Sequence, residues 1–319
     1  MKVKAVGLLT AFFVRTYMQF IPVEELSAKN RAALTQFLMK HERLCVQLSA
    51  SARKSMAALF AVYVNDVCAA DLYGLVSIKK TILHCLPFAN HEEKTAMQDD
   101  FVRSFADFFK GEGFACPVCV NGTESGSALV LDALRACGYE PAEQNAYFLM
   151  TLPRNAPCGK NAALPAGAQI VRCKKDLPEP FRRQLFDLQK HYETEEVVPV
   201  CLSFDEDLCR LRLSNSLRTQ YILALCLSDP ATGAEQLVAK AGTNAIGFKA
   251  VQFGGVYTSA PFRKRGFARI LLCALISKIL RMRRVPVLFV KTHNATAVSL
   301  YHSLGFMTLC GYTIAYYGG

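Results

Sequence analysis

The chain has 319 residues and a hydrophobic content of 52%, enough for about two domains with buried cores, which excludes a chain disordered along its length. Its charge is uneven: residues 1–155 hold 16 Lys and Arg against 15 Asp and Glu, whereas residues 156–319 hold 21 against 11, so nearly all of the net +11 lies in the second half. The thirteen cysteines are odd in number and lack disulfide-framework spacing, which points to a reduced, cytoplasmic protein.

Lys2 and Lys4 precede an apolar run from Ala5 to Val14 in the manner of a signal peptide. Arg15 interrupts it early, no A-x-A site follows, and the run is too short to span a bilayer. Residues 1–20 therefore read as an N-terminal extension, with no membrane span. Glu24 to Val46 has helical spacing, with Leu26, Ala33, Leu34, Phe37 and Leu38 on one face and Ser27 as its cap. Met56 to Val67 and Leu72 to Phe88 are strand-like, separated by an Asn65-Asp66 turn. Phe101 to Phe109 is an amphipathic helix ended by Gly111 and Gly113, and Phe114 to Val120 is again a strand. That strand holds the one C-x-x-C, Cys116 to Cys119. Without a second pair or a redox context it reads as two cysteines flanking a bend, and no metal is expected.

Cys119-Val120-Asn121-Gly122-Thr123 then enters a helix, followed by Leu134 to Tyr139 and a last strand near Tyr147 to Met150. Pro153 to Ala168, with three prolines and two glycines, reads as a linker. Beyond it come a strand at Gln169 to Arg172, a helix at Pro180 to Tyr192, the acidic run Glu193-Thr194-Glu195-Glu196, and a helix at Phe204 to Leu217. Tyr221 to Leu227 and Gln236 to Ala241 form a hairpin around Asp229-Pro230-Ala231-Thr232-Gly233.

Val251 to Thr258 is a strand that contains Gly254-Gly255 and leads through a basic turn with Pro261 into a helix from Gly266. Phe267, Ile270, Leu271, Ala274 and Leu275 form that helix's apolar face. Free N–H groups at its start and the small residues Gly266 and Ala268 favour an anion such as phosphate. Arg281 to Arg284 fall at the helix C-terminus, where cations are stabilising without any ligand. The basic charge alone would suit nucleic acid, but no recognised motif accompanies it, and no nucleic acid is expected as partner.

Arg263-x-x-Gly266-x-Ala268 resembles the acyl-coenzyme A signature (Q/R-x-x-G-x-G/A) of the GNAT superfamily of N-acetyltransferases. Downstream, Val285 to Val290, Thr292 to Ala297 and Leu300-Tyr301-His302-Ser303-Leu304-Gly305-Phe306 are similar, in the same order, to that family's fifth strand, fourth helix and closing Tyr-x-x-Leu-Gly-Phe. The resemblance spans roughly residues 169–319. It implies a mixed-sheet α/β fold, with acetyl-CoA as acyl donor and an amine as acceptor. Main-chain N–H groups of Lys264, Arg265, Gly266, Phe267, Ala268 and Arg269 would cradle the pyrophosphate beside Arg263, and Val256, Tyr257 and Thr258 would pair with the pantetheine arm. Asn294 would cap its helix and touch the arm, and Tyr301 would lie near the thioester sulfur as general acid or hydrogen-bond donor. His293 reads as an exposed loop histidine.

The family's strand glutamate is absent: Gly254 and Gly255 stand there, and no acid follows Glu235. Glu193, Glu195 and Glu196 are the candidate bases, and Tyr312, Tyr316 and Tyr317 are candidates to line the acceptor pocket. The order of elements in the first half repeats that of the second, but Leu86 to Lys94 carries no coenzyme signature, and Glu92 and Glu93 would repel a pyrophosphate. The expected architecture is thus a tandem: an extension (1–20), a degenerate GNAT-like domain (21–152), a linker (153–168) and a catalytic domain (169–319). The expected activity is transfer of an acetyl or short acyl group to a primary amine by direct attack in a ternary complex, with no cysteine nucleophile. A non-catalytic acyl-CoA sensor is the alternative.

Overall fold

The computed structural model describes residues 18–64, 67, 72–87, 96–153 and 163–318. The apolar run at Ala5 to Val14, the Asn65-Asp66 turn and the acidic pair Glu92 and Glu93 lie outside these residues. The first half comprises β1 (Met18–Pro22), α1 (Ala28–His41), α2 (Val46–Ala52), β2 (Leu59–Val64), β3 (Leu72–Ile78), β4 (Thr81–Cys85), α3 (Ala96–Gly111), β5 (Cys119–Thr123), α4 (Glu124–Ala136) and β6 (Glu143–Thr151). The second comprises β7 (Ala168–Cys173), α5 (Glu179–Tyr192), α6 (Glu206–Thr219), β8 (Ile222–Ser228), β9 (Glu235–Ile246), β10 (Ala250–Thr258), α7 (Phe267–Arg281), β11 (Val285–Lys291), α8 (Ala295–Ser303) and β12 (Met307–Tyr316). Element for element, the two halves have the same order.

Three readings of the sequence change in detail, the first being that the strand expected over Phe114 to Val120 begins only at Cys119 and runs to Thr123. Strand β1 opens at Met18, inside the stretch expected to be an extension, and pairs with β2 from Met18↔Val64 to Pro22↔Phe60. The helix expected over Glu24 to Val46 is two helices joined by a tight turn at Glu42–Leu44. Ser27 does cap the first, its hydroxyl accepting from Asn30 N–H.

Among the described residues, twelve strands form one sheet in the order β1-β2-β3-β4-β5-β12-β6-β11-β10-β9-β8-β7. The last strands of the two halves have changed places. β12 lies against β5, from Tyr312↔Thr123 to Tyr316↔Cys119, and β6 lies against β11, from Val287↔Thr151 to Lys291↔Tyr147. The two exchanged strands also pair with each other. Packing follows the exchange. Ala315 and Tyr317 sit in the core under α3 and α4, with Phe101, Phe105 and Val130, while Met150 and Leu152 sit in the core under α7, with Leu271, Leu275 and Val251. On α3, Phe101, Phe105 and Phe109 recur every fourth residue, and the first two pack against Phe20 of the edge strand β1.

A second link joins the halves on the opposite face. The Glu42 side chain, 2% exposed, accepts from three successive main-chain N–H groups of the β9–β10 turn: Phe248 (2.5 Å), Lys249 (2.6 Å) and Ala250 (2.9 Å). Arg53 donates to the carbonyls of Ile246 and Gly247 in the same turn, both at 2.8 Å. Position 247 must lack a side chain, because a Cβ there would overlap the Glu42 carboxylate. Replacing Glu42 with Ala strands three donors, and urea denaturation is expected to show a loss of about 3 kcal/mol.

In the first half, β4 and β5 pair for three residues and then separate beyond Leu83↔Asn121. His84 fills the gap. Its ring lies against Gly122 and Gly126, where any Cβ would collide with it, and its Nε2 meets Ser127 Oγ at 3.0 Å. Burial lowers its pKa to about 4. A neutral buried base gains a proton more readily unfolded, where its pKa is near 6.5. This contribution to stability is therefore complete above about pH 6.5 and is lost as pH falls toward 4, by about 3 kcal/mol in all. Denaturation midpoints of wild type and His84→Gln should diverge in slope across that window and run parallel above it.

Candidate active site

The matching gap in the second half is open. β10 and β11 pair in parallel only from Ala250↔Val285 to Gln252↔Val287, yet β10 runs on to Thr258 and β11 to Lys291. Two irregularities against β9 turn β10 aside. Asn244 is an extra residue on β9, and Gly255 and Val256 together oppose Ala241. Both glycines suit this geometry. A side chain on Gly254 would overlap the Asn244 amide, and Gly255 has φ +62°, a conformation that L residues rarely adopt.

The wedge opens into a cleft of about 640 Å³ that takes its walls from both halves of the chain. Gln47, Asn121, Tyr147 and Tyr316 lie toward the first half, and Tyr192, Glu196, Val256, Asn294 and Tyr301 toward the second. Of the three tyrosines expected in an acceptor pocket, Tyr316 lines this cleft. Tyr312 is buried beneath it, donating to the Asn121 side-chain oxygen, and Tyr317 belongs instead to the core under α3 and α4.

The acidic run is not a solvated loop. It continues α5 as one wide π turn (Glu193–Val197), closed by Val198 N–H to Glu193 C=O at 2.8 Å. The wider turn aims the three carboxylates in different directions. Glu193 is buried and accepts from Gln189 (2.8 Å) and Arg212 (3.3 Å). Glu195 accepts from Tyr257 Oη (2.5 Å) and Arg263 (2.6 Å). Burial would raise the Glu195 carboxyl, but the tyrosine hydroxyl and the guanidinium outweigh it and hold it below the ordinary carboxylate range. Glu193 and Glu196 both line the cleft, but Glu196 has the lighter tether, Asn294 Nδ2 at 3.4 Å. The same Asn294 caps α8, its Oδ1 accepting from Ala297 N–H at 3.1 Å, so one amide both starts the helix and reaches the carboxylate.

Tyr301 is 7% exposed, packs edge-on to Phe306 and borders the cleft. Burial chiefly, with Tyr192 and Glu196 nearby, pushes its pKa well above that of a free phenol, so it stays protonated. Tyr192, absent from the expected site, stands close by, its pKa pushed up to about 12 by burial. Lys240, also absent, is buried beneath the ring of Tyr192. A lysine inside the apolar run from Leu237 to Gly242 was the signal for it.

The basic turn is open to solvent from Arg263 to Gly266. Lys264 (φ +62°) and Gly266 (φ +78°) take left-handed conformations, no side chain caps α7 at Gly266, and nothing stands near a Cβ there. Its side chains divide by role. Arg263 Nε donates to Thr258 C=O (3.0 Å) while its other end holds Glu195, and Arg269 donates to Ser303 Oγ (2.7 Å) at the end of α8. Phe267 is buried, Ala268 half-buried, and Arg265 stacks over Phe262. His293 is exposed, as the sequence suggested.

Residues 234–313 match the family model described as FR47-like protein. No curated protein sequence matches the chain. Among solved structures, a Drosophila protein is 13% identical, with 94% of this chain and 98% of that one covered at a TM-score of 0.60. A GCN5-related N-acetyltransferase from Sphaerobacter thermophilus is 14% identical, covering 95% of each chain at 0.55. A tandem GNAT protein from the clavulanic acid biosynthesis pathway is 14% identical, covering 95% of this chain and 99% of that one at 0.51. The mixed-sheet fold is thus that of tandem GNAT proteins over nearly the whole chain.

Because Gly266 has a left-handed φ and free space around it, Gly266→Ala should cost about 1 kcal/mol from backbone strain alone, read as a shift in the urea midpoint with an unchanged slope.

Proposed function

We propose that this chain, with its tandem GNAT fold, is a cytoplasmic N-acyltransferase that moves an acetyl or short acyl group from acyl-coenzyme A to an amine. We assign the donor site to residues 169–319 and read residues 21–152 as a copy without one. The observation that carries the proposal is the unbridged wedge between β10 and β11, with an uncapped helix start at one end and a carboxylate, a phenol and an amide at the other. In the first half the same wedge is closed by His84, which supports one donor site per chain.

The coenzyme would supply an activated carbonyl with a thiolate leaving group. Its diphosphate fits the open main chain from Lys264 to Arg269, where the helix dipole and free N–H groups favour an anion. Its pantetheine amides fit the margin of β10 at Val256, Tyr257 and Thr258, in the manner of an added strand. In this assignment Arg263 and Arg269 brace the turn and α8, because their guanidinium groups are already engaged.

Glu196 is the base: its carboxylate borders the cleft, whereas Glu195 is held by Arg263 and Tyr257. It accepts a proton from the acceptor's ammonium, and the freed nitrogen forms a bond to the acyl carbon. Val256 N–H donates to the carbonyl oxygen as negative charge grows there. The carbon–sulfur bond breaks, Tyr301 gives its proton to the departing sulfur and regains one from the new amide nitrogen, and Glu196 then releases its proton to water. No cysteine takes part.

Calorimetry with acetyl-CoA and thiol release across a panel of amines test the reading together. Binding with turnover is expected. Binding without turnover would favour an acyl-CoA sensor, and absence of both would overturn the assignment. Tyr301→Phe and Glu196→Gln should each lower kcat by about 10²-fold while acetyl-CoA affinity stays within about threefold.

A further inference from the structure

Lys240 is the least expected charge in the molecule. It lies in the middle of β9, is 3% exposed, and has no carboxylate within ion-pair distance among the described residues. A methionine or leucine would fill the space without the cost of desolvating an ammonium. The groups around it come from four elements: the Tyr192 ring of α5, 4.3 Å from Nζ; Glu193 of the π turn; Cys209 of α6; and Cys173 of β7. Burial lowers its pKa to about 7, against the opposing pull of Glu193. Among the described residues, its Nζ makes one hydrogen bond, to the carbonyl oxygen of Gly255 at 2.9 Å.

That carbonyl belongs to the bulge that turns β10 away from β11. In a planar trans peptide the C=O and the following N–H point in opposite directions. Holding the Gly255 oxygen toward β9 and α5 therefore directs Val256 N–H away from them, toward the wedge. Gly255 has φ +62°, a conformation a glycine leaves easily, so the orientation needs a restraint from outside its own backbone. A donor on the carbonyl, most strongly when Lys240 is protonated, also polarises the whole peptide group and strengthens its N–H as a donor.

We propose that Lys240 is a positioning residue: through the Gly255 carbonyl it sets and polarises the Val256 N–H that receives the acyl carbonyl oxygen. The inference rests on the acyl-transfer reading for its use, but the restraint itself exists in the free chain.

The full-length chain with Lys240→Met, Lys240→Gln and Lys240→Arg tests it, with acetyl-CoA carrying carbon-13 at the thioester carbonyl. In the free protein, the carbon-13 shift of the Gly255 carbonyl should move in Lys240→Met. With acetyl-CoA and an accepted amine, kcat should fall by about tenfold or more while KM for acetyl-CoA stays within about twofold. The bound thioester carbonyl should stretch at a higher frequency than in wild type, and Lys240→Arg should recover part of both effects. An unmoved Gly255 shift overturns the proposal, and so does a normal kcat in Lys240→Met. Should Lys240→Met not fold, Lys240→Gln answers the same two measurements. If wild type turns over no amine while the Gly255 shift still moves, the transfer reading fails and the restraint stands.

Discussion

Parallel strands β10 and β11 stop pairing after three residues, and the cleft exists because of that separation. An unpaired stretch inside a sheet is costly, since its N–H and C=O groups lose their partners. The chain sustains it with an extra residue on each of two strands, a glycine under the Asn244 amide and another in a left-handed conformation. The first half contains the same divergence between β4 and β5 and resolves it with a side chain, the His84 ring lodged against Gly122 and Gly126. One framework thus yields a filled gap and an open one.

Around the open gap, charge is distributed by geometry rather than by composition. The π turn after α5 sends one carboxylate into the interior, one to Arg263 and one to the cleft. Its widened hydrogen bonding brings Glu196 to Asn294 and leaves Glu195 to brace the basic turn. The first half contributes too. Glu42 and Arg53 fix the turn that leads into β10, and Gln47 and Asn121, joined by a hydrogen bond, stand at the far side of the cleft.

Local chemistry is what the sequence makes legible. Ser27, Gly266 and Asn294 mark helix starts because capping and left-handed turns depend on a few adjacent residues. The two-fold repeat of elements is readable from strand and helix periodicity. The exchange of β6 and β12 is not, because Tyr147 to Met150 and Ile314 to Tyr317 are apolar strands of the same kind, and either would suit either neighbour. The π turn is equally hidden: a run of three glutamates and a threonine reads as a loop, and only the packing of Glu193 against Arg212 and Gln189 draws it into the helix. Glu42 reads as an ordinary helical acid until its partners, more than 200 positions away, are in place.

The exchanged strands also impose an order on how the chain can become whole. Tyr312 meets Asn121 across 191 positions, and the place beside β5 is filled by β12, which is made long after it. Until then the first half has an unsatisfied ladder along β5 and a core missing Ala315 and Tyr317. Contacts of such long range are slow to form, and an exposed strand margin invites pairing with another chain. Nascent copies are therefore most open to mispairing in the interval before β12 is made.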